Sequence, residues 1–358
     1  MINDTRRQLL VAALLGGIGV LSPIAARSQT IPNSSDGAAD KVPWLDGNHR
    51  VIIDTDPGSD DALAMLMVLG APNLKTEAVT VCAGNVQYDQ EVKNAFYILQ
   101  LAGKTNIPVH RGLTRPLLNL PYPSAGFIHG AQGLDSAVVP APTRLPDPEH
   151  AALAISRIVK QYPGEVVLLA LGGLSNIATA LLLDPTIAQN AKGIIIVGGR
   201  YSAVGTKFSY NVLVDPEATH IVLTSGIPIA MCGGLGQYSL LTKADFDHIA
   251  TFETTKSKFF LEANQLRYKV DMEKRGKKGA TFGDPLAVAI AIDPKVGVRF
   301  SQVYMSVVLS GEETRGLLIF GGKNEYTGEP TPPPNVSLCI EASGDDFKRI
   351  VFDTLRQT

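Results

Sequence analysis

The chain has 358 residues, of which 45% are hydrophobic and 18% are charged. This composition is typical of a folded globular protein with a large core, and it excludes a chain that is disordered throughout. The formal net charge of −2 excludes a strong basic field that would attract nucleic acid or an anionic membrane surface. A small molecule is therefore the expected partner.

The first residues have the pattern of an export signal. Arg6 and Arg7 precede the apolar run "LLVAALLGGIGVL", which is too short to span a bilayer comfortably and is followed by small residues in "PIAARS". We interpret residues 1–28 as a signal peptide; the arginine pair favours the twin-arginine route, and a general secretory signal also fits. Residues 29–48 have the composition of a flexible lead-in, and 49–358 form one catalytic domain. We therefore expect an exported protein, periplasmic or secreted, with no membrane contact in its mature form.

Short β-branched runs recur along the domain, and helix-like segments separate the first five of them. The strand-like runs are "RVIID", "EAVTVCAG", "EVVLLAL", "GIIIVGG", "IPIAMCG" and "VYMSVVL". The helix-like segments are "DDALAMLMVLGA", "EVKNAFYILQLAG", "NIATALLLD" and "DPEATHIVLTSG". This alternation predicts a Rossmann-like α/β fold, a mostly parallel open sheet with helices on both faces. Ligands of such sheets bind at the carboxyl ends of the strands, where polar residues follow at 54–61, 84–85, 172–176 and 198–199.

The stretch "VIIDTDPGSDDALAM" crowds four acids where the first strand ends and the first helix begins: Asp54, Asp56, Asp60 and Asp61. Capping of the helix accounts for one or two of them. Four converging carboxylates would repel one another unless a cation neutralised them, and hard oxygen ligands favour Ca²⁺ or Mg²⁺. The "DTD" triplet is also similar to the opening of haloacid-dehalogenase-like phosphatases, but the adjacent pair Asp60-Asp61 argues against that interpretation. We therefore predict a metal site.

The segment "DTDPGSDDALA" resembles the signature D-x-D-P-G-x-D-D-A of the calcium-dependent nucleoside hydrolases. Further segments resemble that family in order and spacing: "AGNV", "KNAFYIL", "IHGAQGLD", "LALGGLSNIATAL", "IIVGG", "YNVLVDPEATHIVL" and "GDPLAVAIAIDP". The resemblance covers residues from Arg50 to Leu355. It implies hydrolysis of the N-glycosidic bond of ribonucleosides to free base and ribose, a Ca²⁺ cofactor, and a homo-oligomer, either a dimer or a tetramer.

The resemblance also implies roles for individual residues. The metal ligands would be Asp56, Asp61, the main-chain carbonyl of Leu171, and Asp284, with Asp56 acting as the base that activates a calcium-bound water. Substrate contacts would come from Asp60, Asn85, Asn211 and Asp284, which hold the ribose hydroxyls or orient the base. Asp54 would support the site from behind.

Two positions depart from the family pattern at the sugar and base end of the site. Gly283 stands where many members carry a His that serves as a candidate acid for the leaving base, and Ser209 stands in place of a ribose-binding Glu. His129 in "HGAQGLD" is therefore a candidate catalytic residue, together with Asp56 and Asn85.

Three interpretations of these departures stay open at this point. The first is a hydrolase with altered substrate preference, in which His129, Lys207, Tyr201 or Tyr210 takes over the missing duties. The second is a hydrolase that needs no general acid. The third is a binding protein that keeps the metal and the grip on a ribose diol, with weak or no catalysis. The basic run "EKRGKKGATF" just before Asp284 is interpreted as a solvated loop, with a mobile lid as the alternative.

Overall fold

The computed structural model describes residues 41–199, 209–320 and 332–358. Its strands are β1 (His49–Thr55), β2 (Leu74–Val81), β3 (Val109–Arg111), β4 (Val166–Ala170), β5 (Gly193–Val197), β6 (Ile229–Cys232), β7 (Leu240–Thr242), β8 (Gly279–Thr281), β9 (Gly297–Val303), β10 (Met305–Val307), β11 (Leu318–Phe320) and β12 (Val336–Ala342). Its α-helices are α1 (Ser59–Gly70), α2 (Tyr88–Leu101), α3 (Gly126–His129), α4 (Ala151–Gln161), α5 (Ser175–Leu183), α6 (Ile187–Asn190), α7 (Tyr210–Val214), α8 (Pro216–Thr224), α9 (Lys243–Ala250), α10 (Thr255–Lys269), α11 (Gly283–Ile292) and α12 (Gly344–Arg356). A π-helical turn spans Val270–Lys274, and a 3-10 turn spans Pro294–Val296.

A sheet of eight strands lies at the centre, in the order β3-β2-β1-β4-β5-β6-β12-β9. The first seven strands in this order run parallel, and β9 runs antiparallel to β12 at the edge. The chain moves outward from β1 in one direction through β2 and β3, then returns to place β4 on the other side of β1. The carboxyl ends of β1 and β4 therefore flank a switch point, which is where open α/β sheets bind ligands.

Hydrophobic side chains fill both faces of this sheet. Along β1, Val51 and Ile53 contribute to one apolar cluster and Ile52 to the other, as the two-residue period of a strand requires. The first cluster includes α1, α2, α10, α11 and α12, and the second includes α4, α5 and α8. These layers confirm the predicted mostly parallel sheet with helices on both faces. Among the described residues, no helix is long and apolar enough to cross a membrane.

The first five strand-like runs form β1, β2, β4, β5 and β6, and the four predicted helices form α1, α2, α5 and α8. The sixth run, "VYMSVVL", is divided between the end of β9 and β10, which belongs to a separate two-stranded sheet. The side chain of Asn335 causes this division, because its amide bonds both the N–H and the C=O of Met305 at 2.7 and 2.9 Å. The strand that pairs with β6 on the side away from β5 is β12, which the sequence pattern did not indicate.

The described part of the chain includes the last residues of the predicted lead-in. Val42 and Leu45 are buried, and the ring of Trp44 packs so closely on Gly193 that a Cβ there would lie 2.8 Å from it. Residues 41–48 thus pack on the domain although the sequence grouped them with the flexible segment. The predicted signal peptide, residues 1–28, lies outside the described residues.

Candidate active site

The turn between β1 and α1 is built around the side chain of Asp61. Its Oδ1 accepts a hydrogen bond from Thr55 Oγ1 at 2.6 Å, and its Oδ2 accepts from the N–H of Gly58 at 3.0 Å. Asn85, which follows β2, donates to the same Oδ2 at 3.1 Å and to the carbonyl of Asp56 at 2.9 Å. Asn85 therefore joins the ends of two neighbouring strands at the acidic turn.

Asp56 differs from the other acids of this turn in its lack of hydrogen-bond partners. It is fully buried, and both of its carboxylate oxygens lack a hydrogen-bond partner among the described residues. Two glycines press against it: a Cβ on Gly84 would lie 1.8 Å from Oδ2, and one on Gly172 would lie 2.6 Å from Oδ1. Only glycine fits at these two strand ends, so the backbone leaves room for the carboxylate and for what it binds.

The side chain of Asp54 is bound by residues of β2 and α5. Its Oδ1 accepts hydrogen bonds from Thr80 Oγ1 at 2.6 Å and from Asn176 Nδ2 at 2.8 Å. Burial raises the pKa of Asp54 to about 7 in spite of these two hydrogen bonds, which lower it. The side chain thus ties β1 to β2 and to α5 below the acidic turn.

Asp60, Asp61 and Asp284 offer ligand atoms that all lie within 4.8 Å of one another, so these residues could hold a metal ion. Asp284 is brought there by the first turn of α11, which packs against α1. Asp56 is not part of this group, although the charge of Asp61 raises the pKa of Asp56. Asp60, which was expected to bind ribose, thus lies among the possible ligands.

The acids share an electrostatic problem that a cation would relieve. Burial raises the pKa of Asp56 well above its usual value, and the charges of Asp61, Glu91 and Asp284 raise it further. Burial and the charge of Asp60 likewise raise the pKa of Asp61 to about 7, and burial with Asp60 and Asp61 raises that of Asp284. Buried carboxylates that raise one another's pKa, with unpartnered oxygens on Asp56, are typical of a site that binds a divalent cation.

The carbonyl of Leu171 and the side chain of Asn211 meet at the end of β4. Asn211 Nδ2, on α7, donates to the Leu171 carbonyl at 2.5 Å and to the Val197 carbonyl at 3.2 Å. The N–H of Leu171 in turn donates to the carbonyl of Asp54 at 2.8 Å. The strand ends therefore place Leu171 and Asn211 at the same edge of the sheet as the acids.

His129 is held as a neutral ring. Its Nδ1 accepts the backbone N–H of Ser59 at 3.0 Å, which leaves the proton on Nε2, and it lies 3.3 Å from Arg267 Nη2. Burial lowers the pKa of His129 to about 3, and the charge of Arg267 contributes. A neutral imidazole can donate a hydrogen bond, but it does not carry the extra proton that a general acid would transfer at neutral pH.

Arg267 was not singled out in the sequence, yet the structure places it at the site. Its guanidinium contacts Asp60 at 2.6 Å, Ser59 Oγ at 3.2 Å and the carbonyl of Thr281 at 3.2 Å. The signal that could have found it is an arginine on the buried face of a helix, because Phe260, Ala263 and Asn264 precede it at helical spacing.

A second missed residue is Glu91, which is fully buried on α2 and accepts the N–H of Val86 at 2.9 Å. Burial raises the pKa of Glu91 to about 8 despite that hydrogen bond, and the charge of Asp61 adds to the effect. The sequence signal for Glu91 is the same as for Arg267, a charged residue on the buried face of a helix, because Tyr88 and Ala95 lie on that face at helical spacing.

The two positions that depart from the family pattern, Ser209 and Gly283, line one cleft beside the acids. A Cβ on Gly283 would meet nothing closer than Val197 Cγ1 at 3.7 Å, so this position has room for a side chain. Tyr210 also lines the cleft, and its hydroxyl donates to the carbonyls of Gly84 and Pro123 at 2.8 and 2.9 Å. Tyr201 and Lys207 lie outside the described residues.

The sequence profile of the inosine-uridine preferring nucleoside hydrolase family matches residues 51–349. A relative from Crithidia fasciculata, an inosine-uridine preferring nucleoside hydrolase, is 30% identical over 86% of this chain and 98% of its own length. The solved structure of a plant nucleoside hydrolase matches with a TM-score of 0.80 and 29% identity, over 87% of this chain and 99% of the other. A purine-preferring ribonucleoside hydrolase from Gardnerella vaginalis matches with a TM-score of 0.78 and 28% identity, over 86% and 99%.

The fold and the buried acidic site, with these matches, define an N-glycosyl hydrolase. The chain belongs to the inosine-uridine preferring nucleoside hydrolase family.

Proposed function

We propose that this enzyme hydrolyses the N-glycosidic bond of ribonucleosides to free base and ribose, with calcium as its cation and Asp56 as general base. The observation that carries the proposal is the convergence of Asp60, Asp61 and Asp284, whose ligand atoms lie within 4.8 Å of one another, beside the fully buried Asp56. Cleavage of this bond passes through an oxocarbenium-like state, which anionic surroundings stabilise.

The residues present fit a hard divalent cation. Asp61, Asp284, Asp56 and the Leu171 carbonyl would hold it, and Asp60 lies close enough to contribute. Oxygen-only donors of this kind suit calcium, whose coordination is flexible in number and geometry. When bound, the cation supplies positive charge that offsets the repulsion among the acids and grips a vicinal diol.

The chain's own residues then divide the remaining work. Asp56 accepts the proton of the attacking water, since it is buried among the acids and its oxygens are otherwise unpartnered among the described residues. Asp60, Asn85 and Asn211 hold the ribose hydroxyls and orient the base. His129, as a neutral ring, donates at most a hydrogen bond, so departure of the base relies on groups other than a protonated histidine.

The test is release of ribose from a panel of purine and pyrimidine nucleosides and from p-nitrophenyl riboside by calcium-loaded protein. We expect turnover of the nitrophenyl compound to exceed that of the natural nucleosides, because its leaving group needs no proton. Calorimetric titration of chelator-treated protein with calcium and, separately, magnesium identifies the cation. Absence of ribose release from every compound would refute the proposal, and tighter binding of magnesium would refute calcium as the cofactor.

Gly283→His should restore a proton donor at the cleft. The position accepts a Cβ without a close contact, and it lines the cleft into which the added ring would extend. Since a positioned general acid contributes typically ~10² to 10⁴-fold, we expect at least about a tenfold gain on nucleosides with poor leaving groups and little change on the nitrophenyl riboside. The matched control is Gly283→Ala, which adds bulk without a proton. Equal rates for the two variants on every substrate would contradict the prediction.

A further inference from the structure

The cleft beside the acids has a cationic wall that the proposed reaction does not use. The described residues that line it include no carboxylate, and their hydrogen-bonding or charged side chains include Ser209, Ser239, Arg267, Arg275, Lys277 and Thr281. Glycine-rich turns at 198–199 and 233–236 complete the wall. Cationic and hydroxyl side chains of this kind are the donors that oxyanions bind.

Asp271 holds two of these cations in place from behind the wall. The π-helical turn after α10 buries Asp271 completely, and its carboxylate accepts from Arg275 Nη1 at 2.9 Å and from Lys277 Nζ at 3.0 Å. Burial alone would raise the pKa of Asp271, but hydrogen bonds from Thr281 and Lys277 outweigh it and lower the pKa. Asp271 is therefore ionised, and it fixes the positions of both cations, Arg275 and Lys277, at the wall of the cleft.

Arg275 remains accessible to a ligand while its position is fixed. Its side chain is 40% exposed, and its guanidinium also lies 5.8 Å from the ring centre of Phe127. The planar fork of an arginine presents several N–H donors, so a bond to Asp271 leaves others for a second oxyanion. Arg267, by contrast, is almost fully buried against Asp60.

The cleft is continuous with the site of hydrolysis. Gly283 lines it and is the neighbour of Asp284, and Arg267 lines it while contacting Asp60 at 2.6 Å. Ser209 lines it where the family pattern would bring a carboxylate to the ribose. An anionic group bound in this cleft could thus belong to a ligand whose ribose lies among the acids. Ser209, in place of a carboxylate, removes a charge that would repel such an anionic group.

We propose that this cleft binds an oxyanion carried by the substrate, either a phosphate on the ribose or a carboxylate on the base, with Arg275 as its principal donor. The inference rests on the proposed function, because the ribose of the same ligand occupies the acidic site. It extends the substrate class from neutral ribonucleosides to anionic ones.

Binding to calcium-loaded full-length protein tests the proposal directly. Calorimetry would compare ribose 5-phosphate with ribose, which isolates the phosphate, and orotidine with uridine, which isolates a carboxylate on the base. We expect one member of these pairs to bind at least about tenfold more tightly than its neutral partner, and Arg275→Gln to remove that advantage. The pair that shows the advantage identifies the source of the oxyanion.

Lys278→Gln is the matched control, because it removes the same charge from an exposed position three residues away that does not line the described cleft. It should leave the advantage of the anionic compound unchanged. Equal affinity of the anionic and neutral members in both pairs, or equal losses in Arg275→Gln and Lys278→Gln, would overturn the proposal. The two proposals are tested by different measurements. Lack of ribose release from the nucleosides would refute the proposed hydrolysis, whereas the difference in affinity between anionic and neutral compounds tests the oxyanion site.

Discussion

Asp56→Asn is expected to lower ribose release from every nucleoside by ~10² to 10⁴-fold, the range of a lost general base. Asparagine keeps the shape of the side chain in the space that Gly84 and Gly172 leave, so the surrounding backbone need not move. It cannot accept the proton of the attacking water. Steady-state release of ribose at saturating calcium measures the effect, and the nitrophenyl riboside should lose as much as the natural substrates, because water must be activated for both.

The melting temperature of Asp56→Asn shows whether the loss of ribose release comes from the lost base or from unfolding. The carboxylate of Asp56 is buried beside Asp61, Glu91 and Asp284, which all raise its pKa, so removal of its charge relieves repulsion in the metal-free protein. Asp56→Asn should therefore melt at a higher temperature than the unmodified protein when both are treated with chelator at pH 8. Asp89→Asn is the control: it removes an exposed carboxylate of α2 that pairs with Arg111, and because exposed ion pairs contribute at most about 1 kcal/mol, it should leave turnover unchanged and lower the melting temperature only slightly. Turnover of Asp56→Asn within about twofold of the unmodified enzyme would remove Asp56 from the mechanism.

Much of the site could be predicted from sequence because its acids are close neighbours in the chain. Asp54 to Asp61 follow a buried strand and precede a helix, and parallel strands bring the ends of β1, β2 and β4 together. That rule was enough to group Asn85 with the acids, whereas the Leu171 carbonyl was implied by the family resemblance. Asp284 required the family resemblance, since its approach depends on α11 packing against α1, which local patterns do not specify.

The features that could not be predicted depend on contacts between distant segments. Arg267 reaches Asp60 from α10, and the chain between them contains most of the sheet. Its pattern indicates only that an arginine is buried, and not which carboxylate it meets. The strand β12 lies near the end of the chain, and its place between β6 and β9 follows from pairing across the whole domain. The sequence likewise showed a basic run at 273–282, but the buried Asp271 that organises it is visible only in the fold.

Removal of the proposed calcium ion should make the stability of the protein strongly dependent on pH. In the folded state, the pKa is raised to about 7 for Asp54 and Asp61 and to about 8 for Glu91, from 3.8 and 4.5. A carboxyl with a raised folded-state pKa holds its proton more tightly when folded than when unfolded. Its contribution to the free energy of unfolding is therefore fully present below the unfolded value and is lost as the pH rises through the folded value.

The window for this loss is consequently pH 4 to pH 8, and chelator-treated protein should melt at least roughly 5 °C lower at pH 8 than at pH 5. Saturating calcium should oppose the decline, because the cation binds the ionised acids of the folded state and its affinity increases as they lose protons. Thermal unfolding at a series of pH values, with chelator and with calcium, measures both curves. They should separate as the pH rises, and parallel curves would contradict a metal site at these acids.

Two substitutions distinguish repulsion among the acids from binding of the cation. Glu91→Gln removes a buried acid that is not among the possible ligands, so it should flatten the pH dependence in chelator and preserve stabilisation by calcium. Asp61→Asn removes an acid that belongs to both sets, so it should flatten the same curve and also abolish the calcium effect. If Glu91→Gln lost stabilisation by calcium as completely as Asp61→Asn, the cation would lie on the Glu91 side of the turn, and the ligand set proposed above would be wrong.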